Sequence, residues 1–110
     1  MDIAKLKELA EFHASIDYGS ASSVKRGNVA ADEIRSEVHR LVASGQVAEL
    51  MPNLSEPVLG PWLAYNIAEL AGISESHRNK CVARIKEIVL AGGLEASAAK
   101  LWLKNGGYVS

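Results

Sequence analysis

Cysteine is nearly absent from this sequence: Cys81 stands alone, so no disulfide can close within the chain and no thiol pair is available to a metal. A reducing compartment is the matching setting, and a cytoplasmic protein is expected. Proline occurs only as Pro52, Pro57 and Pro61, which leaves long stretches free to be helical. Neither sign of charge dominates. Twelve Lys and Arg stand against thirteen Asp and Glu, a net charge of −1. This balance excludes the strongly basic face of a dedicated nucleic-acid binder. No apolar run is long enough to span a bilayer, and residues Met1 to Glu8 alternate charged and apolar groups, so neither a signal peptide nor a membrane anchor is expected. Sustained period-two alternation, the mark of a half-buried strand, is missing as well.

Helical periodicity fills the chain instead, and its length suits a single domain over residues 1–110. The stretch Pro57 to Gly72 carries only Tyr65, Asn66 and Glu69 as polar residues. Leu59, Leu63, Ile67 and Leu70 fall in one line there, flanked by Gly60, Ala64 and Ala71, with Trp62 opposite, so this helix is expected at the centre of the fold. Residues 2–17 repeat Leu6, Leu9, His13 and Ile16, with Phe12 alongside, Asp2 near the start and turn chemistry at Asp17 to Ser20. A second helix from about Ser22 to Ser44 presents Gly27, Ala31, Ile34, Val38 and Leu41 and stops at Gly45. A short helix over 46–53 follows. Ser74 to Ala91 turns Cys81, Val82, Ile85, Ile88 and Val89 to one side and His77, Lys80, Arg84 and Glu87 to the other, and Gly92-Gly93 ends it. The last helix, Leu94 to about Asn105, is read with Leu94, Ala98, Leu101 and Trp102 inward. The class is all-α, an antiparallel stack of about five main helices.

Within this pattern Leu50 and Leu54, then Glu56-Pro57-Val58, then Leu63-Ala64, Ile67 and Leu70 resemble one HEAT-type helical hairpin. The Asp and Arg that commonly tie such a turn are replaced here by Leu59, Gly60 and Pro61. The layout from Ser23-Val24-Lys25-Arg26-Gly27-Asn28 through Trp62-Leu63-Ala64-Tyr65 to Leu101-Trp102-Leu103-Lys104 is similar to small bacterial single-domain proteins with HEAT-like folds. That group includes candidate immunity and accessory proteins of toxin systems. The resemblance implies a HEAT-like α-α superhelix and a binding role without catalysis.

No catalytic constellation is evident. His13, His39 and His77 lack the spacing of a helical metal motif, so neither a metal nor a cofactor is expected. His13 lies on an apolar face and reads as a half-buried, hydrogen-bonded histidine. Cys81 reads as a packed thiol. Glu33 and Glu37 are one turn apart, a spacing that belongs more often to a solvated helix face than to an acid and base pair. Asn66 borders the central apolar line and needs partners for its amide. Arg78, in the first turn of its helix, is expected to wrap its stem round the core edge or to reach a salt bridge. Lys25, Arg26 and Asn28 surround Gly27, a glycine whose cost of about 1 kcal/mol inside a helix asks for a close approach or a bend. Lys80 and Arg84 make a short basic stripe with His77.

The reading from sequence is therefore a protein–protein interaction module contacting its partner through Lys25, Arg26, Asn28, Trp62, Tyr65, Asn66, Lys80 and Arg84, the residue types that carry much interface energy. Residues 1–60 hold nine acids and six bases and residues 61–110 hold four and six, a modest polarity suited to a charged protein surface, and a homo-oligomer is compatible with it. The alternative is a small-ligand binder or small enzyme with one cleft joining Asn66, His13 and Lys25-Arg26, which requires those groups to converge.

Overall fold

The computed structural model describes residues 3–15 and 19–108. The expected cap at Asp2, the contribution of Ile16 and the turn residues Asp17 and Tyr18 lie outside them. Helix α1 runs Ile3–Ala14, α2 Ala21–Ala43, α3 Val47–Leu50, α4 Leu59–Ala68, α5 Glu75–Ala91 and α6 Leu94–Asn105, with a 3-10 turn, Met51–Ser55, between α3 and α4. Among the described residues there is no strand, and the fold is all-α. No helix among them is long and apolar enough to cross a membrane.

The helix ends follow from local chemistry. Ser20 Oγ accepts from the Ser23 amide at 3.3 Å and opens α2, and Ser74 Oγ accepts from the His77 amide at 3.2 Å and opens α5. Gly45, at φ 82°, lets the Gln46 amide fold back to the Leu41 carbonyl at 2.9 Å and closes α2.

Helix α4 is the hub. Six of its ten residues are buried, with Leu59, Leu63, Ala64 and Ile67 essentially inaccessible, and it packs on α5, α2, α1 and the 3-10 turn. It is shorter than the expected 57–72. The carbonyls of Ala68 and Leu70, which a longer helix needs as acceptors, receive Arg78 Nε at 3.4 Å and Nη2 at 2.9 Å. Arg78 also holds Glu75 at 3.2 Å, so its guanidinium caps the end of α4 rather than skirting the core. At the other end Gly60 sits so close to the 3-10 turn that the Leu54 carbonyl occupies the space a Cβ needs. Arg84 Nε donates to that same carbonyl at 2.6 Å. The turn is thus tied from α5.

The inward face of α6 corrects the reading from sequence. Ala99 and Leu103 are buried, whereas Leu94 is 95% and Leu101 58% exposed and Ala98 is exposed as well. Trp102 is half-buried as expected, and it sets the phase. Its indole N–H donates to Glu69 Oε1 at 2.8 Å, its ring meets Tyr65 edge-on at 5.6 Å, and Tyr108 stacks on it at 5.5 Å.

Cys81 is fully buried in the face that α5 turns to the core. Burial pushes its thiol up to about 11, against a smaller opposing pull from the Arg78 charge. Its contribution to stability is complete below the ordinary thiol range, about 8.5, and is lost as pH rises toward the folded value, because the unfolded chain ionises first. In that range the folded chain therefore holds far less thiolate, the reactive form, than the unfolded chain. Iodoacetamide labelling of Cys81 is therefore expected to be slow until urea unfolds the protein, and rapid labelling of the folded protein would contradict this packing.

Candidate functional site

Antiparallel packing of α1 on α2 leaves a cleft of ≈ 610 Å³ along one side of the pair. Leu9 and Phe12 from α1 and Val29 and Ala30 from α2 form its apolar lining, and Lys5, Glu8, Lys25, Arg26 and Glu33 stand round it. Phe12 is 45% and Val29 52% exposed. Both lie just off the buried stripe of their own helices, which is Leu6 and Ala10 in α1 and Gly27, Ala30, Ile34, Val38 and Leu41 in α2. Lys25 and Arg26 are exposed and make no ion pair among the described residues. They stand in the second turn of α2. Asn28 is exposed but does not line this cleft.

Glu33 and Glu37 together line an adjoining cleft of ≈ 600 Å³ with Asp32 and Arg40, and only Glu33 reaches the first cleft as well. Glu37 is hydrogen-bonded to the Arg40 guanidinium, which holds its carboxyl below the usual carboxylate range. Arg35 pairs with Asp32 at 3.1 Å in the same local manner.

Trp62, Tyr65 and Asn66 come together in a smaller cleft of ≈ 360 Å³ with Arg35 and Glu69. Asn66 Nδ2 donates to the Trp62 carbonyl one turn back at 2.8 Å, so its amide is tied to its own helix. Burial raises the Tyr65 hydroxyl above its ordinary range. A third cleft, of ≈ 620 Å³, lies where α1, α4 and α5 meet and is lined by His13, Trp62, Arg84 and Glu95 among others. His13 meets the Trp62 ring edge-on at 4.8 Å.

The three groups that the small-ligand alternative needs together therefore line different clefts: Lys25-Arg26 the first, Asn66 the second and His13 the third. Nor do Lys80 and Arg84 form one solvated stripe, since Lys80 is exposed while Arg84 is half-buried and held to Leu54. Among the described residues no group of three or more His, Cys, Asp and Glu is placed to hold a metal ion. Reading the sequence missed Phe12 and Val29. The available signal was an apolar residue outside the stripe on each of two consecutive antiparallel helices, which brings both to one groove.

Compared with family models, with curated proteins and with solved structures, the chain finds no match.

Proposed function

We propose that this chain is a non-enzymatic protein–protein interaction module whose α1–α2 cleft receives an amphipathic helical segment bearing acidic residues. One observation carries the reading: Phe12 and Val29 stand exposed along a groove beside Lys25 and Arg26, neither cation being neutralised within the described residues. An aromatic and a β-branched side chain supply the apolar anchor, and the unpaired cations supply steering and register. Because helices that follow one another in the chain pack most extensively, α1 on α2, α4 on α5 and α5 on α6, a HEAT-like stack is a reasonable architecture for such a module. The resemblance to small bacterial HEAT-like proteins supports the same class, with a toxin component as one kind of partner.

A helical peptide with a leucine stripe flanked by glutamates is the probe. Reversing both cations (Lys25→Glu with Arg26→Glu) is expected to weaken its binding about tenfold or more and to slow association. The melting temperature should hardly move, since both side chains are solvated. Reversal of the exposed Lys80 is the control and is expected to leave binding unchanged. Equal binding by the reversed cleft and the unaltered chain would overturn the electrostatic part of this reading. Arg84 is unsuited to such a reversal, because its guanidinium holds the turn before α4.

A further inference from the structure

Helix α5 carries two half-buried arginines, and their surroundings differ. Arg78 uses all three guanidinium nitrogens, on the Ala68 and Leu70 carbonyls and on Glu75. Arg84 uses Nε alone, on the Leu54 carbonyl. Its two Nη groups have no partner among the described residues, and no carboxylate there comes within ion-pair reach. No buried side-chain nitrogen among the described residues lacks a partner, so these Nη groups still meet water and are open to an anion that replaces it with a charge-assisted pair. The Nε hydrogen bond also fixes the plane of the guanidinium, so its Nη edge is oriented before any ligand arrives.

Arg84 lines the cleft where α1, α4 and α5 meet. Its volume of ≈ 620 Å³ falls within the range of small-molecule sites, and its walls are mostly apolar, with Pro61, Trp62 and Ile88 among them. The edge-on contact with His13 holds the Trp62 ring in place. We infer that this cleft binds a small monocarboxylate with an apolar or aromatic body, its carboxylate meeting the free Nη edge of Arg84 and its body lying along Trp62. Two parallel N–H donors on one planar group match a carboxylate. A phosphate dianion is the poorer fit, because Glu95 adds negative charge to the same cleft. This inference stands apart from the proposed function: α1 turns Leu9 and Phe12 to the partner cleft, and Ala10 and His13 to this one.

The test compares 2-naphthoate with its neutral isostere 2-naphthamide on the intact chain, followed by amide and indole NMR shifts. Saturable naphthoate binding that moves the Trp62 indole and His13 is expected, with the indole of Trp102, held by Glu69, as an internal reference. Naphthamide should bind about tenfold more weakly or worse, the loss of one charge-assisted pair. Inorganic phosphate should leave the same signals in place. Replacement by lysine (Arg84→Lys) keeps the charge but loses the planar fork, and is expected to weaken naphthoate by a similar factor. If that variant does not fold, the acid and amide pair on the unaltered chain still decides. Equal affinity for acid and amide, no saturation at millimolar acid, or shifts centred on Phe12 and Val29 would each overturn the assignment.

Discussion

Replacing Leu63 with alanine is expected to cost about 2–5 kcal/mol, the range for deleting a fully enclosed leucine side chain. Leu63 is inaccessible to solvent and lies between Leu59 and Ile67 on the helix that packs against α1, α2 and α5. Several elements would have to shift together to fill the space, which places the expected loss away from the low end. A domain of this size is typically stable by roughly 5–15 kcal/mol, so the variant forfeits a large share of the total. Urea unfolding should show a lower midpoint with an unchanged slope. Leu101→Ala is the internal contrast. Leu101 is mostly exposed, and its truncation is expected within about 0.5 kcal/mol of neutral. A large loss at Leu101 with a small one at Leu63 would mean that α6, not α4, holds the core.

Gly60→Ala is the second large effect, and its sign opposes helix propensity. Alanine in place of a helical glycine ordinarily gains about 1 kcal/mol. Here the new methyl carbon falls 2.2 Å from the Leu54 carbonyl oxygen, 3.0 Å from its carbon and 3.2 Å from Arg84 Nε. The first two are backbone atoms and cannot rotate away, so the 3-10 turn must move and the Arg84 hydrogen bond must lengthen. Overpacking of this kind costs about 1–3 kcal/mol, and weakening a charged hydrogen bond adds to it, so a net loss of about 2 kcal/mol is expected. Thermal unfolding measures it directly. A stabilised Gly60→Ala protein would show that the turn does not press against α4.

These two residues also mark how far the sequence could be read. Leu63 was legible because Leu59, Leu63 and Ile67 repeat at helical spacing with almost nothing polar between them, so the central helix and its buried line follow from periodicity alone. Gly45 and Gly92-Gly93 were legible as stops, and all three take positive φ. The role of Gly60 was not legible, since its constraint comes from Leu54 and Arg84, a contact between α4, the turn before it and α5. The same holds for Arg78, whose carbonyl acceptors lie at the end of α4, Ala68, and just past it, Leu70. Helix α6 was misread because Leu94, Ala98, Ala99, Leu101, Trp102 and Leu103 put apolar groups on more than one of its sides. Its phase is chosen by the indole of Trp102 reaching Glu69, a pairing 33 residues apart. Of the candidate contacts, Lys25 and Arg26 were found by their charge. Their apolar neighbours Phe12 and Val29 become neighbours only once α1 lies on α2.

If a partner docks in the α1–α2 cleft, the acidic amphipathic peptide leaves its NMR footprint there on the labelled chain. Perturbations are expected at Leu9, Phe12, Lys25, Arg26 and Val29, with the exposed leucines Leu90, Leu94 and Leu101 unmoved. A footprint centred on those leucines of α5 and α6, with Phe12 and Val29 unchanged, would mean that the partner docks elsewhere than the α1–α2 cleft.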